Sequence, residues 1–339
     1  MSKKFDTIVY IGRFQPFHNG HLITFRKAQE LADHVLILVG SANVAPNIRN
    51  PWSFLQRKDM IEAMLKEDTG TALVNIQPLN DIPYNDNAWI EQVQKTVTTW
   101  TNGKKIGIVG MKSDHTSYYL DLFPQWTTVI VDEAAEFHAT DIRNEMFAKD
   151  PTVIPQVPYS IKKYLTDWWV EESHERVRLQ EEFEFITKYK KAWANSPYPP
   201  TFVTVDAIVV QSGHVLMIQR KAAPGEGLWA IPGGFIGQTE LIEDAMIREL
   251  REETKLKVPV PVLKGSIVDR KVFDATDRSL RGRTITHAFY IELAPGDLSP
   301  VKGADDAKAA RWIPFNEFVR MEKETFEDHH AIVRHFIKL

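Results

Sequence analysis

The sequence of 339 residues lacks three features, and each absence excludes a class of protein. It has no cysteine, so disulfides, thiolate metal sites and cysteine nucleophiles are excluded. Its 41 Lys and Arg face 45 Asp and Glu, a net charge of -4, which gives no basic surface for nucleic acid. No run approaches the ~20 apolar residues of a membrane span, and the first residues do not resemble a signal peptide. We expect a cytoplasmic protein with neither a membrane nor a nucleic acid as partner.

Length and patterning predict two domains. At roughly 150 residues per domain the chain is long enough for two, and 43% of its residues are apolar, enough for two cores. Residues 171–194 are rich in charge with apolar residues at helical spacing, and they end in the proline-rich run at residues 196–200. We therefore predict a first domain at residues 1–170, a helical linker at 171–200 and a second domain at 201–339.

The first domain alternates strand and helix patterns. Short apolar runs at residues 7–11, 34–39, 72–76, 105–109 and 127–131 read as buried strands. Helical patterns lie between them, one from Asn19, one capped by Ser53 and one at residues 87–100. Such alternation is typical of the α/β class and predicts a Rossmann-like, doubly wound parallel sheet.

The most specific motif follows the first strand, where residues 10–21 read Y-I-G-R-F-Q-P-F-H-N-G-H. With Asn19 as the expected helix cap, His18 and His21 lie one helical turn apart and point to one place. An isolated H-x-x-H pair is more often ordinary packing. Here Gly12, Arg13 and Phe14 precede it, at the carboxyl end of a strand, where α/β sheets bind phosphates.

Two further clusters in this half fit phosphate or base recognition. One is Arg49-Asn50-Pro51-Trp52 with Arg57 on the next helix. The other is Thr140 to Arg143, in which Thr140 is expected to cap a helix whose first amides face an anion. The alternative for each is a routine helix cap beside a solvated arginine.

The spacing G-x-F-x-P-x-H-x-x-H resembles the signature of the nucleotidyltransferase superfamily. The segments R-N-P-W, A-T-D-I-R and V-P-Y-S-I, with residues 110–126, resemble archaeal-type nicotinamide mononucleotide (NMN) adenylyltransferases. The resemblance implies that the adenylyl group of the substrate ATP passes to NMN, giving NAD and pyrophosphate, with Mg²⁺ (or Mn²⁺) on the phosphates. Where the family usually has serines before Thr140, this chain has His138 and Ala139. Pantetheine phosphate or a sugar alcohol phosphate is the alternative acceptor.

The same resemblance implies residue roles. His18, His21 and Arg143 would be catalytic. Trp89 would lie against the nicotinamide ring, although it fits equally well as a core tryptophan. The full set expected to bind substrate is Gly12, Arg13, Phe14, Arg49, Asn50, Asn87, Trp89, Gly110, Lys112 and Thr140.

The second domain begins with a predicted hairpin, residues 202–210 and 215–220, and continues through a Gly-Gly turn to a helix. On that helix Glu249, Glu252 and Glu253 share one face. Three carboxylates together are unfavourable unless a cation neutralises them, which suggests a hard divalent metal. The alternative is a solvated acidic face interrupted by Arg248 and Arg251.

Gly234, Glu240 and R-E-L-R-E-E-T-K-L at residues 248–256 resemble the Nudix box, which implies an α+β Nudix fold. By this resemblance Arg248, Glu249, Glu252 and Glu253 are catalytic, and the three glutamates bind Mg²⁺ (or Mn²⁺). The family pattern has glycine where this chain has Lys255, so we expect the helix to exit by a different turn.

Substrate choice lies outside the box. Residues 269–274 and 278–289 resemble the Nudix branch that acts on ADP-ribose, and also related domains that sense it. Arg270 and Arg283 are the expected phosphate partners, with a mobile solvated loop as the alternative. Glu292, Asp305 and Asp306 are the candidates for the general base.

The sequence therefore predicts a bifunctional enzyme of NAD metabolism that joins an NMN adenylyltransferase to an ADP-ribose pyrophosphatase. Its partners would be small nucleotides, namely ATP, NMN, NAD and ADP-ribose. The alternative is an adenylyltransferase joined to a Nudix-like module that senses a nucleotide without cleaving it. The sequence leaves the oligomeric state open, a homo-oligomer included.

Overall fold

The computed structural model describes residues 3–101, 105–111, 115–132, 137–148 and 156–338. The chain forms two compact units, residues 1–180 and 181–339. The division lies inside the helix Ser173–Ala192, named α6 below, and the predicted boundaries at residues 170 and 200 stay a prediction. Across the described ranges, every helix is too short or too polar to span a bilayer.

The first unit is built on a parallel sheet. Its strands in the described ranges are β1 (Phe5–Gly12), β2 (Ala32–Val39), β3 (Leu73–Pro78), β4 (Ile106–Gly110) and β5 (Thr127–Ile130). They lie in the order β3-β2-β1-β4-β5, and every pairing is parallel. The predicted doubly wound sheet is confirmed. The order reverses between β1 and β4, and the crevice at the carboxyl ends of such strands is where α/β sheets bind ligands.

Helices connect these strands, and their starts follow local capping. They are α1 (Asn19–Leu31), α2 (Phe54–Glu67), α3 (Asp86–Trp100), α4 (Ala139–Ala148) and α5 (Tyr159–Glu171). Ser53 caps α2 as predicted, in a reciprocal capping box with Gln56. Two predicted caps are wrong. His18, not Asn19, caps α1 because its ring nitrogen accepts from the helix, and α4 begins at Ala139, so Thr140 lies within the first turn.

The second unit is a mixed sheet between helices. Its strands are β6 (Phe202–Gln211), β7 (His214–Arg220), β8 (Trp229–Ala230), β9 (Gly233–Phe235), β10 (Ile267–Phe273), β11 (Thr284–Glu292) and β12 (Ala307–Pro314). Its helices after α6 are α7 (Ile242–Thr254), α8 (Val260–Gly265), α9 (Phe315–Phe318) and α10 (His329–Ile337). The main path is β10-β11-β6-β7-β12, and β6 pairs in parallel with β11. Alternate residues of β6 face α7 on one side and α10 on the other. The predicted α+β Nudix fold is confirmed.

The exit of α7 differs from the sequence prediction. Lys255 has φ 51° and ψ 26°, the left-handed conformation, and its N–H donates to the Arg251 carbonyl at 3.0 Å. This is the conformation that glycine adopts most readily after a helix. The expectation of a different turn is therefore wrong. The turn is kept, and lysine adopts it at a cost of about 1 kcal/mol.

Candidate active sites of the two units

The imidazoles of His18 and His21 lie face to face at the start of α1. Their ring centroids are 3.6 Å apart, and each Nδ1 accepts the backbone N–H of the other residue, at 3.4 and 3.2 Å. A neutral imidazole whose Nδ1 accepts carries its proton on Nε2, so each ring offers an Nε2–H donor. Burial lowers the pKa of His18 to about 4 and the pKa of His21 well below its usual value. Both rings are therefore neutral at pH 7.

Arg143 joins the loop that carries His18 to two other segments. It is buried and donates from Nη1 to the Gln15 carbonyl at 2.5 Å, from Nε to the Ile48 carbonyl at 3.2 Å and from Nη2 to Thr140 Oγ1 at 3.1 Å. Burial, together with the nearby charges of Arg13 and Arg49, lowers its pKa to about 9. Three guanidiniums and two imidazole donors thus converge, and such a group favours a polyanion.

Two other side chains fix the loops of this site from inside. Arg57 is 1% exposed and donates from Nη1 to the carbonyls of Arg13 and Gly40, both at 2.6 Å. Gln15 bonds the backbone of Trp52 twice, as donor at 2.9 Å and acceptor at 3.1 Å. The sequence grouped Arg57 with phosphate-binding residues. The structure shows that its donors hold the ends of β1 and β2.

Gly12 and Phe14 shape the floor beneath the histidine pair. A Cβ on Gly12 would lie 2.8 Å from Cζ of Phe14, so the close approach requires glycine. The Phe14 ring is buried and meets the His21 ring edge-on, with centroids 4.9 Å apart. Arg13 is exposed, Arg49 half-buried and Asn50 buried.

The other residues predicted for this site lie farther along the carboxyl edge of the sheet. Asn87 is exposed in the first turn of α3, and Trp89 is half-buried with its ring 6.1 Å from that of Phe123. Trp89 therefore packs on the core, and its contact with nicotinamide stays a prediction. Gly110 ends β4, where a Cβ would meet Leu120 at 3.0 Å. Lys112 lies outside the described residues.

A cleft of 680 Å³ in the second unit holds part of the acidic cluster. A Cβ on Gly234 would lie 2.4 Å from Glu249 Oε1, so the glycine lets the turn approach the carboxylate. Glu253 is buried and accepts the Gly233 N–H at 3.0 Å. Burial, together with the neighbouring charge of Glu249, raises the pKa of Glu253 to about 8. Burial also raises the pKa of Glu249, and the charge of Glu252 acts in the same direction.

Arg248 is the centre of a carboxylate network. It donates to both oxygens of Glu240, at 2.7 and 3.0 Å, and its Nη1 bridges Glu249 at 2.9 Å and Glu252 at 3.0 Å. The paired bonds from Arg248 lower the pKa of Glu240 to about 2. The Glu252 side chain is 45% exposed and is not among the described residues that line the cleft. Only two of the three glutamates therefore face this space.

The carboxylates of the acidic cluster suit a divalent cation, although they are not arranged to bind one together. Among the described residues, no group of three or more His, Asp or Glu side chains is arranged to hold a metal. Arg248 donates to an oxygen of Glu249 and to an oxygen of Glu252. Buried carboxylate oxygens nevertheless match the preference of Mg²⁺ and Mn²⁺.

Arginines also line this cleft, but they are not the arginines that the sequence suggested. Arg270 is exposed on β10, and Arg283 bonds the backbone carbonyl of Asp274; neither is among the described residues that line the cleft. The cationic side chains that do line it are Arg220, Arg248, Arg278 and Arg281. The arginine-rich run at residues 278–283 indicated the correct segment, but spacing alone did not select its cleft-facing members.

The acidic candidates for the general base also differ in whether they line the cleft. Asp306 lies in the cleft lining, whereas Glu292 and Asp305 are not among the described lining residues. Glu327 and His329 also line the cleft. Reasoning from the sequence missed these two residues.

Comparison with known proteins agrees with both family resemblances. A cytidylyltransferase-like family model matches residues 9–145, and a NUDIX domain model matches residues 200–336. The nicotinamide/nicotinic acid mononucleotide adenylyltransferase of Acinetobacter baylyi is 38% identical over 146 residues, 42% of this chain and 77% of that protein. The ADP-ribose pyrophosphatase of Methanocaldococcus jannaschii is 35% identical over 136 residues, 40% of this chain and 73% of that protein.

One solved structure matches along both units. The bifunctional NMN adenylyltransferase/ADP ribose pyrophosphatase of Francisella tularensis, complexed with AMP and a manganese ion, is 36% identical with a TM-score of 0.90. The match covers 98% of this chain and 99% of that one. The chain belongs to this bifunctional family. A second structure of the Francisella tularensis protein, 37% identical with a TM-score of 0.91, shows the same correspondence. Both family assignments made from the two sequence motifs are confirmed.

Proposed function

We propose that the first unit transfers the adenylyl group of ATP to NMN, and that the second unit hydrolyses ADP-ribose to AMP and ribose 5-phosphate. The observation that carries this proposal is the presence of both sites on one chain that aligns from end to end with a bifunctional enzyme. One unit pairs imidazoles with arginines, as a polyphosphate requires. The other lines a cleft with carboxylates, as a divalent cation requires.

In the first unit, a 5′-phosphate oxygen of NMN attacks the α-phosphorus of ATP. The new P–O bond gives NAD, and the bond to the β-phosphate breaks to release pyrophosphate. The protein needs no covalent nucleophile, because positioning and charge stabilisation do most of the work. The Nε2–H groups of His18 and His21 donate to the phosphates, and Arg13 and Arg143 hold the triphosphate. The remaining residues proposed to bind substrate are Gly12, Phe14, Arg49, Asn50, Asn87, Trp89, Gly110, Lys112 and Thr140.

In the second unit, a water oxygen attacks one phosphorus of ADP-ribose, and the anhydride P–O bond breaks. Glu249 and Glu253, with Glu252, would hold Mg²⁺ or Mn²⁺, which activates water and neutralises phosphate charge when bound. The relative from Francisella tularensis held manganese. Arg248 positions the carboxylates. Asp306 is the general-base candidate from the sequence that lies in the cleft.

One residue of the sequence favours a sensing module over an enzyme, namely Lys255, which stands where the family pattern has glycine. The backbone at this residue supports hydrolysis instead. Lys255 keeps the left-handed turn at the end of α7, so the helix that carries Glu249 and Glu253 ends as the pattern requires. A cytoplasmic location and a homo-oligomer stay predictions.

The test is product analysis by chromatography. We expect NMN and ATP with Mg²⁺ to give NAD and pyrophosphate, and ADP-ribose with Mg²⁺ or Mn²⁺ to give AMP and ribose 5-phosphate. Tight ADP-ribose binding without release of AMP would support the sensing module instead. Adenylyl transfer to pantetheine phosphate or a sugar alcohol phosphate, and not to NMN, would contradict the first assignment.

A further inference from the structure

A tight turn at residues 47–50 of the first unit carries Arg49 and Asn50, two residues proposed to bind substrate. The Asn47 side chain closes this turn, because its Oδ1 accepts the N–H groups of Arg49 and Asn50, both at 2.9 Å. The backbones of Asn47 and Asn50 also bond each other, at 3.3 and 3.0 Å. Arg49 lies close enough for its charge to lower the pKa of Arg143. The placement of both substrate-binding side chains therefore depends on how the turn is held.

Two arginines hold this turn through the carbonyls of two of its peptide planes. Arg143 donates from Nε to the Ile48 carbonyl at 3.2 Å, and Arg178 donates from Nη2 to the Pro46 carbonyl at 2.8 Å. A peptide unit is planar, so fixing a carbonyl also fixes the direction of the N–H that follows it. In both planes that N–H is one of the donors that close the turn. The two arginines therefore support the turn in the same way.

Arg178 reaches the turn from α6, in the part of that helix that belongs to the first unit. It forms a two-point pair with Glu175, three residues earlier, at 2.7 and 3.1 Å. Its side chain is 19% exposed, and that of Glu175 is 29% exposed. Because a carboxylate balances its charge and orients its guanidinium, Arg178 is suited to hold a carbonyl and not to bind a phosphate. It lies outside the ranges that the two family models match.

Asn50 indicates what the turn presents to a ligand. The residue is 8% exposed, and among the described residues its Oδ1 has no hydrogen-bond partner. A buried acceptor without a donor is unfavourable, and a ligand that supplies an N–H or O–H removes this cost. ATP and NMN both carry such donors on the base and on the ribose. We therefore expect nucleotide affinity to depend on where the turn places this oxygen.

We propose that Arg178 is a positioning residue of the adenylyl-transfer site, which it supports by holding the turn at residues 47–50. This inference rests on the proposed adenylyl transfer and deepens it. Arg178 acts through the turn and not on the substrate. The turn then presents Arg49 to the phosphates of ATP and the Asn50 oxygen to a donor of the nucleotide. A turn that is held before the ligand arrives loses less conformational entropy on binding.

The kinetic test uses two variants in the full chain. Arg178→Met keeps an apolar stem and removes the donors. We expect it to raise the KM for ATP about 5- to 20-fold, the lower range for a charged hydrogen bond because this one is partly exposed. We expect kcat to change less than about twofold, as for lost ground-state binding. Arg178→Lys should return KM to within about threefold of the wild type, because an ammonium can still donate to the Pro46 carbonyl. An unchanged KM in Arg178→Met, or a loss confined to kcat, would overturn the proposal.

The matched control is Arg26→Met, the same substitution at another arginine of the first unit. Arg26 lies on α1, is 61% exposed and contacts Asp68 at 3.5 Å. Its KM for ATP should equal that of the wild type. Circular dichroism and ADP-ribose hydrolysis should be unchanged in all three variants, which shows that each preparation is folded. A KM raised equally in Arg26→Met and Arg178→Met would reflect only the lost positive charge and would overturn the proposal.

Hydrogen exchange followed by NMR tests the held turn without any reaction. The amide hydrogens of Arg49 and Asn50 close the turn, so they should exchange at least about 10-fold faster in Arg178→Met than in the wild type. The amide of His21, at the start of α1, should exchange at the same rate in both. This result supports the held turn even if the wild type forms no NAD, in which case only the proposed transfer fails. Equal exchange of Arg49 and Asn50 in the two proteins overturns the inference, even where NAD is formed.

Discussion

His18 and His21 cap each other, since each Nδ1 accepts the backbone N–H of the other residue. The same two bonds fix the start of α1 and place the ring protons on Nε2. One pair of side chains therefore begins a helix and presents two neutral donors. The structural role of His18 can be tested apart from its proposed chemical role, because other side chains can cap a helix without an imidazole.

The first prediction separates the two roles of His18. Asparagine is a good helix cap, so His18→Asn should keep nearly all of the stability, whereas His18→Ala should lose about 1 kcal/mol. Both should lower adenylyl transfer at least about 100-fold, since each removes a phosphate donor. Urea unfolding and NAD formation measure the two effects. Ser53→Ala, which removes the cap of α2, should lose stability but keep activity. Full activity in His18→Asn would refute the proposed role.

The second prediction concerns pH. The pKa of His18 is about 4 when folded, against about 6.5 in an unfolded chain. Between these values the unfolded state binds more protons, so stability must fall as pH falls from about 6.5 to 4. At pH 5 the loss from His18 is about 2 kcal/mol relative to pH 7. His18→Asn lacks this titration, so urea unfolding should show a smaller loss by about that amount. Equal losses in the two proteins would contradict it.

The third prediction concerns Arg57, which contacts the backbone of the site and not the proposed substrates. Arg57→Met leaves the carbonyls of Arg13 and Gly40 without their donor, at a cost of about 1 to 3 kcal/mol. The loops of the first unit should loosen, so adenylyl transfer should fall while ADP-ribose hydrolysis persists. Lys58→Met, one residue along the same helix at an exposed ion pair, is the control and should change neither. An Arg57→Met protein with normal stability and transfer would contradict this role.

The fourth prediction concerns the exit of α7. Lys255→Gly should raise the free energy of unfolding by about 1 kcal/mol, because glycine adopts the left-handed conformation without the Cβ clash. ADP-ribose hydrolysis should be unchanged. Lys257→Gly, two residues on and without a positive φ, should give no gain. Denaturant titration measures the free energy of unfolding of the wild type and the two variants. A lower value for Lys255→Gly than for the wild type would show that the lysine side chain stabilises the fold by more than its left-handed backbone costs.

The sequence predicted the parts of these sites that depend on regular spacing. The face shared by Glu249 and Glu253 follows from helical periodicity, and the pairing of His18 with His21 fits the three-residue spacing of a capping box. The parallel sheet follows from alternation. The family motifs then predicted both activities. Each of these inferences uses positions within one element, where geometry is fixed by the backbone.

What the sequence did not predict depends on which way a side chain points from a loop or a strand end. Arg57 looked like a phosphate ligand, but the carbonyls that it holds come from segments 16 to 44 residues away. In the second unit, Arg281 and His329 enter the cleft while Arg283 does not. Spacing does not distinguish residues two positions apart in an irregular segment, since tertiary packing decides their directions.

In the proposed enzyme, one chain carries two separate catalytic sites. The most direct test assays NAD formation and AMP release in parallel for His18→Ala and Glu252→Gln. We expect a crossed result, in which His18→Ala loses NAD formation and still cleaves ADP-ribose, while Glu252→Gln does the reverse. Loss of both activities in either folded variant, or of neither in both, would contradict it.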